Sequence, residues 1–133
     1  MNILAIGSHP DDIEIGCGGT LILYARVGHK VSICNIANGN LGHAVIMPDE
    51  LREIRKKESE AAATVIGADH YLIDLGDGCV EAGNKEARER LIEVIRTTKP
   101  DVILTHNPDD YMRDHIQASA MAYDASFLAT IPH

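Results

Sequence analysis

Four short runs of apolar, mostly β-branched residues recur along the chain, at Ile3–Ile6, Val31–Ile36, Tyr71–Ile73 and Val102–Thr105. Each is nearly continuous, not alternating. A continuous run suits a strand covered on both faces, as in a parallel sheet. Between and after them lie longer segments with helical spacing: Gly19–Val27, Glu50–Ile66, Lys85–Arg96 and Ile116–Leu128. In the second, Leu51, Ile54, Ala61, Ala62, Val65 and Ile66 fall on one face. Strand and helix alternating four times imply an α/β domain, with parallel strands joined by right-handed crossovers. Local punctuation agrees. Asp49 is placed to cap the second helix and Gly67 to end it. Pro100 stops the third helix and launches the fourth strand. Asn38–Pro48 and Gly76–Gly83 read as loops.

A length of 133 residues fits one domain with one core. Twenty acidic residues against twelve basic ones give a net charge of −8. That balance argues against binding a nucleic-acid backbone, which needs clustered Lys and Arg. No apolar run approaches the ~20 residues of a membrane span. The start, Met-Asn-Ile-Leu-Ala-Ile-Gly, lacks a basic leader region and reads as a strand. Cys17, Cys34 and Cys79 are odd in number and widely spaced. This is neither a disulfide framework nor a zinc-finger spacing, so a cytoplasmic protein is expected.

In an open parallel sheet, ligands bind beyond the C-terminal ends of the strands. The first such loop reads Ser8-His9-Pro10-Asp11-Asp12-Ile13-Glu14, followed by Gly16-Cys-Gly-Gly19. Imidazole nitrogen and carboxylate oxygen are good zinc ligands. Pro10 fixes its own φ and biases His9 toward extended geometry. A rigid turn could thus bring His9 and Asp12 onto one ion, with Asp11 beside it as a base. The alternative is that the two aspartates merely cap the next turn. The glycines lack the G-x-G-x-x-G spacing of a dinucleotide site and the G-x-x-x-x-G-K-[ST] spacing of a P-loop.

The fourth strand leads into His106-Asn-Pro-Asp-Asp-Tyr111-Met-Arg-Asp114-His115. His115 stands near the start of the following helix, at the same sheet edge as the first loop. It is the natural third ligand, and His106 is its rival. Asp114 could orient an imidazole by accepting its N–H, or simply suit the helix dipole. Tyr111 could donate to a developing oxyanion, or be an ordinary exposed tyrosine.

The stretch Ser8-His-Pro-Asp-Asp-Ile-Glu-Ile-Gly-Cys-Gly-Gly-Thr-Leu21 resembles the opening signature of the LmbE-like/PIG-L family. Arg55-Lys-Lys-Glu58 with Ala61 to Gly67, and Thr105-His106 through Asp114-His115, resemble later family motifs. These are zinc-dependent N-acetylglucosaminyl deacetylases with a Rossmann-like fold. The resemblance implies a Rossmann-like three-layer sandwich with a mostly parallel sheet. It implies Zn²⁺ (or another divalent ion such as Fe²⁺) on His9, Asp12 and His115. It makes Asp11 the general base and gives Arg55 the substrate sugar. The implied reaction is attack of a zinc-bound water on the acetyl amide of an N-acetylated amino sugar or glycoconjugate. Homo-oligomers are also implied.

Two features depart from the family. Its second motif usually carries His-Pro-Asp-His, whereas Met112-Arg113-Asp114-His115 stands here. Met cannot donate a proton, which leaves His106, Tyr111 or protonated Asp11 to assist the oxyanion. Family members are also much longer. The chain, closing on Phe127-Leu-Ala-Thr-Ile-Pro-His133, is therefore expected to be one LmbE-like domain lacking its C-terminal part. A relative that binds metal or sugar without turnover is the alternative, and a nucleotide-binding Rossmann domain is a third reading.

Overall fold

The computed structural model of the chain describes residues 1–132; His133, the last residue of the apolar ending, lies outside the described residues. Four strands and four helices alternate as expected: β1 (Asn2–Gly7), α1 (Asp12–Arg26), β2 (Lys30–Ala37), α2 (Pro48–Ile66), β3 (Ala68–Leu75), α3 (Lys85–Thr98), β4 (Val102–Leu104) and α4 (Arg113–Leu128). The sheet order is β3-β2-β1-β4, and every pairing is parallel. Helices cover both faces, giving three layers. On one side α1 and α2 bury Ile13, Leu21, Ala63 and Ile66 against Ile3, Ala5, Val31 and Ile33. On the other, α3 and α4 bury Leu91, Val94, Ile95, Met121 and Ala122 against Leu4, Ile6, Cys34, Ile36 and Ile73.

The β1 and β2 runs are continuous because alternate residues feed opposite cores. The connection through α3 carries the chain past β2 and β1 to the far side of the sheet. The order therefore reverses between β1 and β4. A crevice opens at their C-terminal ends, where ligands bind in open α/β sheets.

Local differences from the sequence reading have physical causes. α1 begins at Asp12, seven residues before Gly19, so the glycine cluster is helical and not loop. Tertiary packing overrides the low helix propensity of glycine there: Gly18 is buried, and Ile13 and Leu21 anchor the same face. Met47, not Asp49, is the N-cap of α2, with Pro48 opening the helix and Asp49 in its first turn. Ala61 and Val65 are exposed, and the buried residues of α2 are Leu51, Ser59, Ala63 and Ile66. Gly67 closes α2 as expected, at φ 81°, a left-handed conformation that suits glycine. Asn84 caps α3 by accepting the Ala87 N–H at 3.1 Å. β3 runs from Ala68 to Leu75, because its pairing with β2 recruits the polar Asp69 and His70. Among the described residues no helix is long and apolar enough to cross a membrane.

Candidate metal centre

β1 ends by delivering Ser8 and His9 into the crevice. Two bonds fix this exit: the Ala37 N–H donates to the Ser8 carbonyl at 2.7 Å, and Asn35 Nδ2 to the His9 carbonyl at 3.0 Å. Pro10 and Asp11 turn the chain into α1. Asp11 sits at φ 117°, where a non-glycine backbone costs on the order of 1–3 kcal/mol and persists only if its surroundings hold it. Asp12, the first residue of α1, reaches back so that Oδ2 accepts the His9 N–H at 2.7 Å. On the other side of the crevice α4 starts at Arg113, three residues before the expected Ile116. Asp114 and His115 thus project from its first turn, both buried (5% and 6% exposed).

These side chains converge. Nδ1 of His9 lies 3.4 Å from Asp12 Oδ2, and Nε2 of His115 lies 3.3 Å from Asp12 Oδ1. One ligand atom from each of His9, Asp12 and His115 falls within 4.8 Å of the others. A carboxylate can only accept, so the remaining contacts assign the tautomers. Nε2–H of His9 donates to Asp114 Oδ2 at 2.9 Å, which leaves Nδ1 free as a ligand. Nδ1–H of His115 donates to Asp110 Oδ1 at 3.1 Å, which leaves Nε2 free. That Nε2 is buried and has no hydrogen-bond partner among the described residues. Stranding a buried polar atom costs roughly 1–3 kcal/mol, and a cation among these three atoms would satisfy it.

The electrostatics point the same way. Burial disfavours a charged His9, but hydrogen bonds to Asp12 and Asp114 outweigh it and push its pKa up to about 9. Burial also disfavours the Asp12 carboxylate, yet the adjoining His106 and His9 side chains and the His9 N–H hold it far below the usual carboxylate range. A buried and a half-buried carboxylate that draw a proton onto an imidazole make a site suited to positive charge. With that proton displaced by the ion, two imidazoles and a carboxylate are a donor set that fits a divalent transition metal.

His106 stands behind this cluster. Its Nε2 accepts the Ser8 N–H at 2.9 Å, and its ring stacks on His115 at 4.0 Å and 10°. The Nε2 lone pair is therefore already engaged. His106 also forms a second grouping with Asp110 and His115. His9, Asp11, Asp12, Arg55, Tyr111, Met112, Asp114 and His115 all border one open cleft of about 630 Å³. A larger cavity of about 1150 Å³ runs between α3, α4 and β4 and reaches His106 at one end. Tyr111 is 88% exposed and meets the His115 ring edge-on. Arg55 reaches the first loop, donating to the Pro10 carbonyl and to Asp11 Oδ2. Met112 carries no donor into the cleft, and its backbone N–H caps Asp110 at 3.0 Å.

Three contributors escaped the sequence reading. Asp110 lies five residues before His115, a spacing that was available as a signal. Asp77 accepts the Gly39 and Leu41 N–H groups at 2.9 and 3.0 Å and closes the floor of the cleft. Gly39 lies against Arg55, a tertiary contact that no local pattern announces.

Comparison with known proteins finds similarity along most of the chain. The sequence pattern of the family described as PIG-L, GlcNAc-PI de-N-acetylase, matches residues 4–126. A 1D-myo-inositol 2-acetamido-2-deoxy-alpha-D-glucopyranoside deacetylase from Nocardioides is 31% identical, over 98% of this chain and 55% of its own length. A 4-oxalmesaconate hydratase from Pseudomonas putida is 28% identical, over 95% of this chain and 52% of its own. Among solved structures, N,N'-diacetylchitobiose deacetylase from Pyrococcus horikoshii superposes with a TM-score of 0.90 at 27% identity, covering 98% of this chain and 51% of that one. The chain spans about half the length of the curated relatives it matches.

Proposed function

The chain belongs to the GlcNAc-PI de-N-acetylase (PIG-L) family, and from that premise we propose that it carries the metal-dependent centre of an N-deacetylase. The substrate is an N-acetylated amino sugar or a glycoconjugate of one. The observation that carries this reading is the buried, unpartnered Nε2 of His115 beside Asp12, with His9 Nδ1 sharing the same space. His9, Asp12 and His115 would hold one Zn²⁺, and a set of two nitrogens and an oxygen also tolerates Fe²⁺. When bound, such a cation supplies Lewis acidity toward a carbonyl and makes a water more acidic.

The chain's own groups supply the proton traffic. Asp11 borders the cleft, and its side chain is 56% exposed. It accepts a proton from the attacking water and returns it to the leaving nitrogen, so amide plus water becomes free amine plus acetate. Asp114 holds His9 in the tautomer that leaves Nδ1 bare, and Asp110 does the same for Nε2 of His115. With Met112 unable to donate, the Tyr111 hydroxyl is the group at the cleft that can assist the oxyanion, and His106 stands behind it. A cytoplasmic setting accords with three free cysteines. Homo-oligomerisation stays part of the proposal.

Amine release from N-acetylglucosamine conjugates tests the reading. Turnover by zinc-loaded protein, lost in Asp11→Asn with zinc retained, supports it. Full activity after metal removal overturns it. Hydration of an activated alkene is a second reading. It is favoured by the similarity to the Pseudomonas hydratase and by the absence of an acid at Met112. Water addition to an unsaturated dicarboxylate, with no amine release, would select it.

A further inference from the structure

Arg55 does more than border the cleft. Its Nη2 donates both to the Pro10 carbonyl and to Asp11 Oδ2, the latter at 3.0 Å. Its Nη1 donates to Glu58 at 2.7 Å. The guanidinium thus ties α2 to the peptide that precedes the strained Asp11 backbone. The orientation of the Pro10 carbonyl and the φ of Asp11 are two descriptions of the same peptide plane. Holding one holds the other. The approach is possible because Gly39 has no side chain. A Cβ there would stand 3.1 Å from Arg55 Cγ, 3.2 Å from Arg55 Nε and 3.2 Å from Pro10 Cδ. Gly39 also sits at φ 77°, and Asp77 pins its N–H at 2.9 Å.

We propose that Arg55 is a positioning residue for Asp11, fixing the Pro10–Asp11 peptide and the Asp11 carboxylate in one orientation at the cleft, with Gly39 kept bare to admit the guanidinium. The proposal rests on the assignment of Asp11 as the proton acceptor. It separates two roles for the arginine. A guanidinium that only held substrate would act on KM. One that aims the base acts on kcat, and a small misplacement of a reacting group costs up to about a hundredfold. Lysine keeps the charge but has one nitrogen, so it cannot hold Glu58 on one side while donating to the Pro10 carbonyl and Asp11 on the other, as the planar fork does.

The test compares Arg55→Lys and Gly39→Ala with the unaltered full chain. Amide ¹H–¹⁵N spectra of the metal-free proteins should show the Asp11 and Asp12 signals displaced in both variants, with the α3 and β4 signals unmoved. Zinc titration should give unchanged affinity. On an N-acetylglucosamine conjugate, kcat should fall by tenfold to about a hundredfold with KM unchanged. Asp11 and Asp12 signals that stay in place in both variants overturn the proposal, as does a raised KM with kcat intact. If the unaltered chain releases no amine while those signals still move, the positioning role stands and the deacetylase reading fails.

Discussion

Asp114 offers a way to separate charge from geometry at the cluster. Its Oδ2 takes two donors at once, His9 Nε2–H at 2.9 Å and the Gly78 N–H at 2.7 Å. Asparagine can place its carbonyl oxygen at the same point and keep both bonds, losing only the charge. A hydrogen bond to a charged group contributes about 1.5–3 kcal/mol, and a neutral one about 0.5–1.5. Asp114→Asn should therefore weaken the hold on His9 by roughly 1–1.5 kcal/mol, the difference between those ranges. At about 1.4 kcal/mol per factor of ten, zinc should bind about tenfold more weakly. That lies at the low end of the ~10–100-fold seen when outer partners of metal ligands are altered. Asp114→Ala instead strands two donors, each costing about 1–3 kcal/mol. The metal-free protein should then lose roughly 2–6 kcal/mol, a large part of the ~5–15 kcal/mol typical of a domain. Calorimetric zinc titration reads the first effect, and urea unfolding of the chelated protein reads the second. Undiminished zinc affinity in Asp114→Asn, with Asp114→Ala as stable as the unaltered chain, would refute the reasoning.

Other expectations follow from separate parts of the molecule. The Arg52 guanidinium, through Nε at 2.8 Å and Nη2, holds the Asp74 carboxyl below the usual carboxylate range. A depressed carboxylate stabilises the fold above its ordinary pKa and loses that contribution as pH falls through the depressed value. Arg52→Ala should thus cost at most about 1 kcal/mol near pH 7, Arg52 being well exposed. The difference should shrink toward zero in acid unfolding below pH ~4, where unfolded aspartates protonate. Leu91 is fully buried between α3 and the sheet, so Leu91→Ala should cost about 2–5 kcal/mol in urea unfolding. Burial pushes the Cys34 thiol up to about 12, whereas Cys79 is exposed. A thiol reagent should label Cys79 in the folded protein and reach Cys34 only after denaturation.

Much of the architecture was legible because it rests on patterns that tertiary context rarely overturns. Runs such as Val31–Ile36 must be covered on both faces, and Pro100 and Gly67 punctuate wherever they fall. The boundaries that differed are those set by packing. Gly16–Gly19 carries the wrong propensity for a helix, yet α1 runs through it because Ile13 and Leu21 are anchored on the sheet. Asp69 and His70 look unlike strand residues, yet pairing with Ser32 and Ile33 draws them into β3. At the cleft, His9, Asp12 and His115 could be singled out because two loops meet wherever strand order reverses. The partners that orient them were less visible. Asp110 and Gly39 reveal themselves only through contacts made after the chain has folded.

The central claim is that His9, Asp12 and His115 together hold one divalent cation. Metal analysis after equilibrium dialysis of chelator-stripped protein against zinc tests it most directly, with His115→Ala alongside. The account predicts one zinc per unaltered chain and loss of that zinc in His115→Ala. Equal zinc content in the two proteins, or none in the unaltered chain, would contradict it.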